Sequence, residues 1–355
     1  MFAQDKINDG RQMELDIAKG LAILFMINIH VLWLFTDFAI YESAFAALVY
    51  FMGGPPAAPV FMVAMGVGVV YSRRDNWQYF FRRGLLIMVI GYLLNLFRFL
   101  IPFLIALEFN LIHPGEIEAS FEYSNLLMIF MEVDILQFAG LSLLFIALLK
   151  KIKLPVVVYP LVAIVFAMLN FFVRDIQVSN TFFNSLLGLF WGSGLNSSFP
   201  FFIWIFYPLL GVFFGSFLIR CKSKNKLYLL TAVISLLILF LSAPRAVYLL
   251  SDDIFKYYHH DIFGNFMITG FVFFWLSLLY FVGKIIPGII KNGLKYMSRK
   301  ITHFYIIHWL LIGWGLLVVG FNSLMVWPSV VAMVSVLIIT AVLTYYFNQK
   351  YNMKI

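Results

Sequence analysis

Apolar stretches of about 20 residues recur along the whole chain, and each is long enough to cross a bilayer as a helix. Hydrophobic residues make up 63% of the 355 residues and charged residues only 12%, about half the charged share of a soluble domain. In lipid, backbone polar groups must be satisfied within the protein, so such stretches fold as helices. The sequence therefore predicts an all-α, polytopic integral membrane protein with a single transmembrane domain over residues 1–355.

Ten stretches qualify as spans, and the segments between them are too short to form a soluble domain. The predicted spans are residues 15–35, 49–71, 84–107, 133–149, 154–173, 199–219, 227–246, 263–283, 301–320 and 328–347. The second span contains Pro55, Pro56 and Pro59 near one end. Because proline cannot donate a backbone hydrogen bond, we expect a break in this helix.

The distribution of Lys and Arg predicts the orientation of these spans. With both termini in the cytoplasm, the only basic residues on the opposite side are Arg98, Arg174, Arg245 and Lys256. Such an excess of basic residues on one side is typical of cytoplasmic loops. The formal charge of +8 is therefore interpreted as a topology signal, and no nucleic-acid binding is inferred. The oligomeric state is left open.

His30 lies inside the first span, where an ionisable side chain is costly and marks a candidate functional site. At about 100° per residue, Asp16 and Lys19 share its helix face. Lys19 precedes His30 by about 16 Å along the axis, at 1.5 Å per residue. A histidine can abstract a proton near neutral pH or be acylated. The alternatives are a packing imidazole at His30 and a local ion pair between Asp16 and Lys19.

A second group of polar residues is expected in the outer half of the bundle. Arg98 lies within the third span, and Asn95 precedes it by three residues on the same side. A buried guanidinium requires an anionic partner, which Glu132 or Asp134 could provide. A structural ion pair and a contact to substrate are both compatible with this pattern.

Two further features carry weaker signals. His308 lies near the middle of the ninth span, where we expect it to support the same site. Four cytoplasmic arginines could hold an anionic cofactor such as coenzyme A, although the positive-inside bias also produces such clusters. They are Arg73, Arg74, Arg82 and Arg83. No phosphate-binding loop or nucleophile elbow is present, and no metal site is predicted.

Several stretches, taken in order, resemble a known group of membrane acyltransferases. The segment Asp16-Ile17-Ala18-Lys19-Gly20-Leu21-Ala22-Ile23, followed by His30, resembles the opening helix of the acyltransferase-3 group. That helix carries an Arg and a His at the spacing of Lys19 and His30, so Lys19 keeps the charge but lacks the bidentate fork. Four other stretches resemble the heparan-α-glucosaminide N-acetyltransferase catalytic-domain relatives of that group. They are Pro59-Val60-Phe61-Met62 through Gly66, Arg82-Arg83-Gly84-Leu85, Asp134-Ile135-Leu136-Gln137-Phe138 and Tyr305-Ile306-Ile307-His308-Trp309.

The resemblance implies transfer of an acyl group, commonly acetyl from acetyl-CoA, to a sugar on the far side of the membrane. It implies a catalytic role for His30, as general base or acyl carrier. We expect Asp134 and His308 to take part in catalysis, and Asn95 and Arg98 to bind substrate. Lys19 and the four arginines would attract the phosphates of acetyl-CoA.

The expected setting is a bacterial plasma membrane, with an extracytoplasmic glycan or glycolipid as acceptor. A carrier or exporter that uses the same buried charges as a translocation path is the main alternative. A membrane scaffold or sensor without turnover is another.

Overall fold

The computed structural model describes residues 2–109, 123–192, 197–250 and 254–351. Within these residues the regular structure is helical, apart from three isolated β-bridges. The helices are α1 (Met13–Phe35), α2 (Ala44–Gly53), α3 (Ala58–Val70), α4 (Trp77–Asn95), α5 (Ile101–Glu108), α6 (Tyr123–Met131), α7 (Ile135–Lys151), α8 (Tyr159–Val173), α9 (Thr181–Gly188), α10 (Phe201–Trp204), α11 (Phe206–Leu218), α12 (Lys224–Ala246), α13 (Ile254–Tyr258), α14 (Ile262–Val282), α15 (Gly288–Arg299), α16 (Ile301–Val319) and α17 (Val326–Tyr351).

The all-α, polytopic membrane fold is confirmed. In the described parts of the chain, nine single helices or runs of consecutive helices are long and apolar enough to cross a membrane. The predicted span 133–149, which is not among these nine, corresponds to α7, a helix of 17 residues. It packs along α4, and a Cβ at Gly84 would lie 2.7 Å from the carbonyl oxygen of Gly140. These glycines let the two backbones approach closely.

The second span is interrupted, as its prolines predict. α2 ends at Gly53, and α3 begins at Ala58. Pro55 and Pro56 occupy the turn between them, and Pro59 takes one of the first two positions of α3. That position tolerates proline because its N–H would have no helical partner.

α1 is the helix around which the candidate site is assembled. It packs against α2, α3, α14, α15, α16 and α17. Its C-terminal end is tied to α17, where Thr36 Oγ1 donates to Ser329 Oγ over 2.8 Å. Both side chains are fully buried. This contact fixes the end of α1 that carries His30, six residues before Thr36.

α4 begins earlier than the sequence predicts. Asn76 caps the helix by accepting from the Tyr79 backbone N–H over 2.8 Å, and α4 starts at Trp77. Arg82 and Arg83 therefore lie within its second turn rather than in a loop. Long arginine side chains can extend from such a position to the interface, so the charges do not prevent the helix from entering the membrane.

Candidate active site

A local change in helical winding positions Arg98. Between α4 and α5, residues Leu96–Leu100 form a π-helical turn. Pro102 follows, and its ring lacks an N–H and crowds the carbonyl of the residue four positions earlier, which is Arg98. A wider turn accommodates that carbonyl, and such turns are frequent at functional sites. Gly313 of α16 packs directly on it, since a Cβ there would lie only 1.7 Å from the Arg98 oxygen.

The Arg98 side chain is fully buried and is held by three polar neighbours. Its Nη1 lies 2.5 Å from Asp134 Oδ2, and its Nη2 donates to Asn95 Oδ1 over 2.9 Å. Glu132 Oε2 is 3.3 Å from Nη2, with its side chain 30% exposed. Asn95 also donates to the backbone oxygens of residues 130 and 132. The structure thus favours an ion pair at Arg98, since no part of the guanidinium is exposed to bind a substrate.

Asp134 connects α7 to α16. It caps α7 by accepting from the Ile135 N–H over 2.6 Å. Its Oδ2 also accepts from the Tyr305 hydroxyl over 2.5 Å. Donors therefore reach both of its carboxylate oxygens. Asp134 has no direct hydrogen bond to His30 among the described contacts; its side chain contacts Arg98 and Tyr305 instead.

The two buried histidines are hydrogen-bonded to each other. His30 Nδ1 lies 2.9 Å from His308 Nε2, and His308 Nδ1 lies 2.8 Å from the Phe304 carbonyl oxygen. A carbonyl only accepts, so His308 must carry its proton on Nδ1. In neutral rings His308 Nε2 is then an acceptor, and His30 must donate from Nδ1. The remaining nitrogen of His30, Nε2, is left with a free lone pair.

Trp309 joins the histidines to the ion pair. Its ring stacks on His30 with a centroid distance of 3.9 Å. The Arg98 guanidinium carbon lies 4.2 Å from the centroid of the same ring. A cation against an aromatic face is favourable, especially away from water. Trp309 therefore separates the Arg98 charge from His30 and fixes the ring plane of the histidine.

Trp33 flanks His30 on α1. The two ring centroids are 5.5 Å apart, and the Trp33 Nε1 atom is buried without a hydrogen-bond partner among the described residues. The Tyr258 ring lies 6.2 Å from Trp33. Burial, followed by nearby Tyr257 and Asp134, raises the pKa of the Tyr258 hydroxyl well above its ordinary value. Tyr258 is therefore a protonated potential donor near this end of α1.

Lys19 lies at the other end of α1, beside Asp16. Its Nζ is 3.6 Å from Asp16 Oδ1, and a quarter of its side chain is exposed. Asp16 is buried and is also bonded to Arg11 and to Ser298 Oγ of α15, over 2.7 Å. The local ion pair considered from the sequence is thus present. Lys19 is therefore paired with Asp16 and is also partly exposed.

The four arginines proposed for coenzyme binding are exposed. Arg74 lies over the Tyr79 ring at 5.4 Å, and Arg83 Nη1 is 3.4 Å from the Tyr79 hydroxyl. In the described part of the chain, no polar contact joins them to Lys19. The structure therefore brings His30, His308, Asp134, Arg98 and Asn95 into one cluster and leaves Lys19 and the arginines outside it.

A family model described as "Heparan-alpha-glucosaminide N-acetyltransferase, catalytic" matches residues 11–252, which is more than half of the chain. The chain belongs to this family. No curated protein matches it. Membership in the heparan-alpha-glucosaminide N-acetyltransferase family implies membrane acetyltransferase-type activity. The matched segment contains His30, Arg98 and Asp134, whereas His308 of α16 lies beyond it.

The sequence assigns no role to three aromatic residues of this candidate site, although two of them lie in a stretch that carries the resemblance. Trp33, Tyr305 and Trp309 contact His30 or Asp134 only in the folded chain. The available signal was their spacing, since Trp33 is three residues after His30 and Tyr305 is three before His308. At this spacing they share a helix face with the histidines. In a chain with 18 tyrosines and 8 tryptophans, that spacing alone does not distinguish them.

Proposed function

We propose that the protein is a membrane acetyltransferase that moves an acetyl group from cytoplasmic acetyl-CoA to an extracytoplasmic sugar or glycolipid. The observation that carries this proposal is the polarised His30, whose Nε2 lone pair is left free by the bond from Nδ1 to His308. Family membership supports the acetyl group and the sugar. The distribution of basic residues supports ten spans with both termini in the cytoplasm, and the proposed location is a bacterial plasma membrane.

The proposed role of His30 is that of a general base. Its Nε2 takes the proton of the acceptor hydroxyl or amine as the acceptor oxygen or nitrogen attacks the acetyl carbonyl carbon. The C=O electron pair moves to the oxygen, and the tetrahedral intermediate then collapses and expels the coenzyme A thiolate. The proton on His30 passes to that thiolate, which restores the neutral ring.

Trp33 is the residue that we expect to stabilise the oxyanion. Its indole N–H is donor-only and has no partner among the described residues. A buried donor left unpaired is unfavourable by about 1–3 kcal/mol. A small rotation of its partly exposed ring would direct the N–H to the acetyl oxygen. Donors aimed at developing negative charge commonly make the largest contribution to acyl transfer.

The other residues of the cluster are proposed to position His30 and to support the site around it. His308 fixes the tautomer of His30, and Trp309 fixes its ring plane. Asp134 orients Tyr305 and neutralises Arg98, while Asn95 orients the guanidinium. We assign Asn95 and Arg98 to the support of the site rather than to substrate, because Arg98 is fully buried. His30 thus remains the group that meets the acceptor.

The donor is proposed to enter from the Lys19 end. Lys19 and the exposed arginines carry the positive charge that coenzyme phosphates require, and the acidic residue nearest Lys19 is already shared with Arg11 and Ser298. About 16 Å along α1 separate Lys19 from His30. The extended pantetheine arm would have to cover this distance, which fits a donor and an acceptor on opposite sides.

The test is acetyl-CoA binding to the purified, detergent-solubilised protein, because it requires no knowledge of the acceptor. We expect saturable binding that free coenzyme A competes for and that Lys19→Ala or Arg82→Ala weakens. Lys222→Ala, an exposed basic residue elsewhere, is the matched control and should bind normally. Absence of binding to a folded sample would contradict the proposal. Substrate flux across sealed vesicles without any acyl donor would then support the carrier.

A further inference from the structure

α15 is a short helix whose charged residues are all basic. Lys291, Lys295 and Arg299 lie on it, Lys284 and Lys300 flank it, and no acidic residue occurs from 284 to 300. Lys291 and Lys295 are about one helical turn apart, and both are half-buried. Their stems therefore lie along the protein, with the ammonium groups on one side of the helix.

The opposite side of α15 is apolar and exposed. Ile289 and Ile290 of α15 are 83% and 51% exposed, and Ile285, in the turn before the helix, is 82% exposed. With 12 residues the helix is too short to cross a bilayer. A helix with a basic face and an apolar face lies in the plane of the membrane interface. Because of its basic residues, α15 does not have the sequence pattern of an apolar span.

α15 is fixed against the Lys19 end of α1. A Cβ at Gly20 would lie 2.8 Å from the Leu294 Cα, so the two helices are in close backbone contact. One turn later Ser298 Oγ donates to Asp16 Oδ1 over 2.7 Å. These contacts fix the rotation of the helix, so its basic and apolar faces point in defined directions.

We propose that α15 is a binding surface for anionic phospholipids of the surrounding bilayer. Lys291 and Lys295 contact the headgroups, and Ile285, Ile289 and Ile290 lie among the acyl chains. Charge complementarity selects the occupant, because a surface with basic residues and no acidic ones attracts anionic headgroups over zwitterionic ones. The exposed isoleucines indicate that the ligand also has an apolar part next to its charged group, as a phospholipid does.

Lipid bound to this surface should also affect the Lys19 end of the site, and this step rests on the proposed function. Asp16 accepts from Ser298 of α15 and pairs with Lys19. A lipid that holds α15 on α1 keeps Asp16 engaged by Ser298 and leaves Lys19 freer to meet the donor. Acetyl-CoA affinity should therefore rise with the fraction of anionic lipid.

Lipid selectivity is measured first, without acetyl-CoA. Spin-labelled phosphatidylglycerol and phosphatidylcholine are compared in proteoliposomes by electron spin resonance. The double variant Lys291→Gln/Lys295→Gln should lose about fivefold in the relative association of phosphatidylglycerol for each charge removed. The control, Lys222→Gln/Lys226→Gln, removes two exposed basic residues outside α15 and should retain wild-type selectivity. Equal selectivity in the two double variants overturns the proposal.

Ser298→Ala separates the lipid surface from its effect on the donor. It should leave phosphatidylglycerol selectivity unchanged while acetyl-CoA affinity no longer rises with the anionic lipid fraction. If acetyl-CoA affinity still rises with the anionic lipid fraction in Ser298→Ala, the effect of the lipid does not pass through Asp16. If the wild type binds no acetyl-CoA in any lipid but shows selectivity that the α15 variant loses, the proposed function fails and the lipid surface stands.

Discussion

The Nδ1 atom of His30 lies 2.9 Å from the Nε2 atom of His308, although 278 positions separate them in the sequence. The Phe304 carbonyl accepts from the far side of the His308 ring. A backbone group on α16 therefore sets which nitrogen of a histidine on α1 carries the proton. This arrangement leaves His30 Nε2 as the acceptor that acyl transfer requires.

His308→Leu should lower kcat while leaving acetyl-CoA binding unchanged, because His30 Nδ1 loses its acceptor and the ring can adopt the wrong tautomer. His308→Gln should retain more activity, since its amide oxygen can accept from His30. The measurement is acetyl transfer to glucosamine as a function of pH. His303→Leu on the same helix is the control. Equal activity in the Leu and Gln variants at position 308 would argue against the tautomer role.

The buried ion pair predicts a large loss of stability when Asp134 alone is neutralised. Asp134→Asn leaves Arg98 charged and fully buried, and such changes cost about 3–5 kcal/mol. Glu132→Gln should lower the free energy of unfolding by at most about 1 kcal/mol, because the Glu132 carboxylate lies farther from Arg98 and is partly exposed. Denaturant unfolding in detergent gives both values. Similar losses in the two variants would mean that Asp134 is not the main partner.

Gly313 provides a test of the π-helical turn. In Gly313→Ala the new methyl group would meet the Arg98 carbonyl, so either α16 or the turn must shift. We expect a loss of about 1–3 kcal/mol, together with reduced acetyl transfer. Gly68→Ala is the matched control, because nothing lies within 4 Å of its added Cβ. A Gly313→Ala protein as stable and active as the Gly68→Ala protein would contradict the described packing.

Acid should destabilise the segment around His259. Burial lowers the pKa of His259 to about 4, compared with about 6.5 in an unfolded chain. Below pH 6.5 the unfolded state therefore binds the proton first, and stability falls as the pH drops towards 4. His259→Gln should have a shallower decline in thermal unfolding temperature over this window. The same decline in both proteins would exclude His259 as the cause.

The sequence was sufficient for the fold class because the membrane constraint is local. A helix must carry its own apolar residues along its whole length, so each span can be read from its own segment. α15 was missed for the same reason, since its charges place it at the interface. The start of α4 was not predicted because Asn76 caps the helix ahead of the apolar stretch. The cap brings Arg82 into the helix, although its charge makes it look like part of a loop.

The site was partly predictable from the cost of burying charge. His30, Arg98 and Asp134 were found because each is out of place in lipid and needs a partner. The pairing of His30 with His308 has no local pattern, since it depends on how α16 packs on α1. The role of Trp309 could not be predicted, because aromatic residues are abundant in this chain and the role arises from its position between His30 and Arg98.

The most direct test compares acetyl transfer by the wild type and by His30→Ala in proteoliposomes, with radiolabelled acetyl-CoA inside and glucosamine outside. We predict that the variant loses about 10²–10⁴-fold in kcat while it still binds acetyl-CoA and unfolds at the wild-type temperature. Normal turnover by a folded His30→Ala protein would contradict the assignment of His30 as the base.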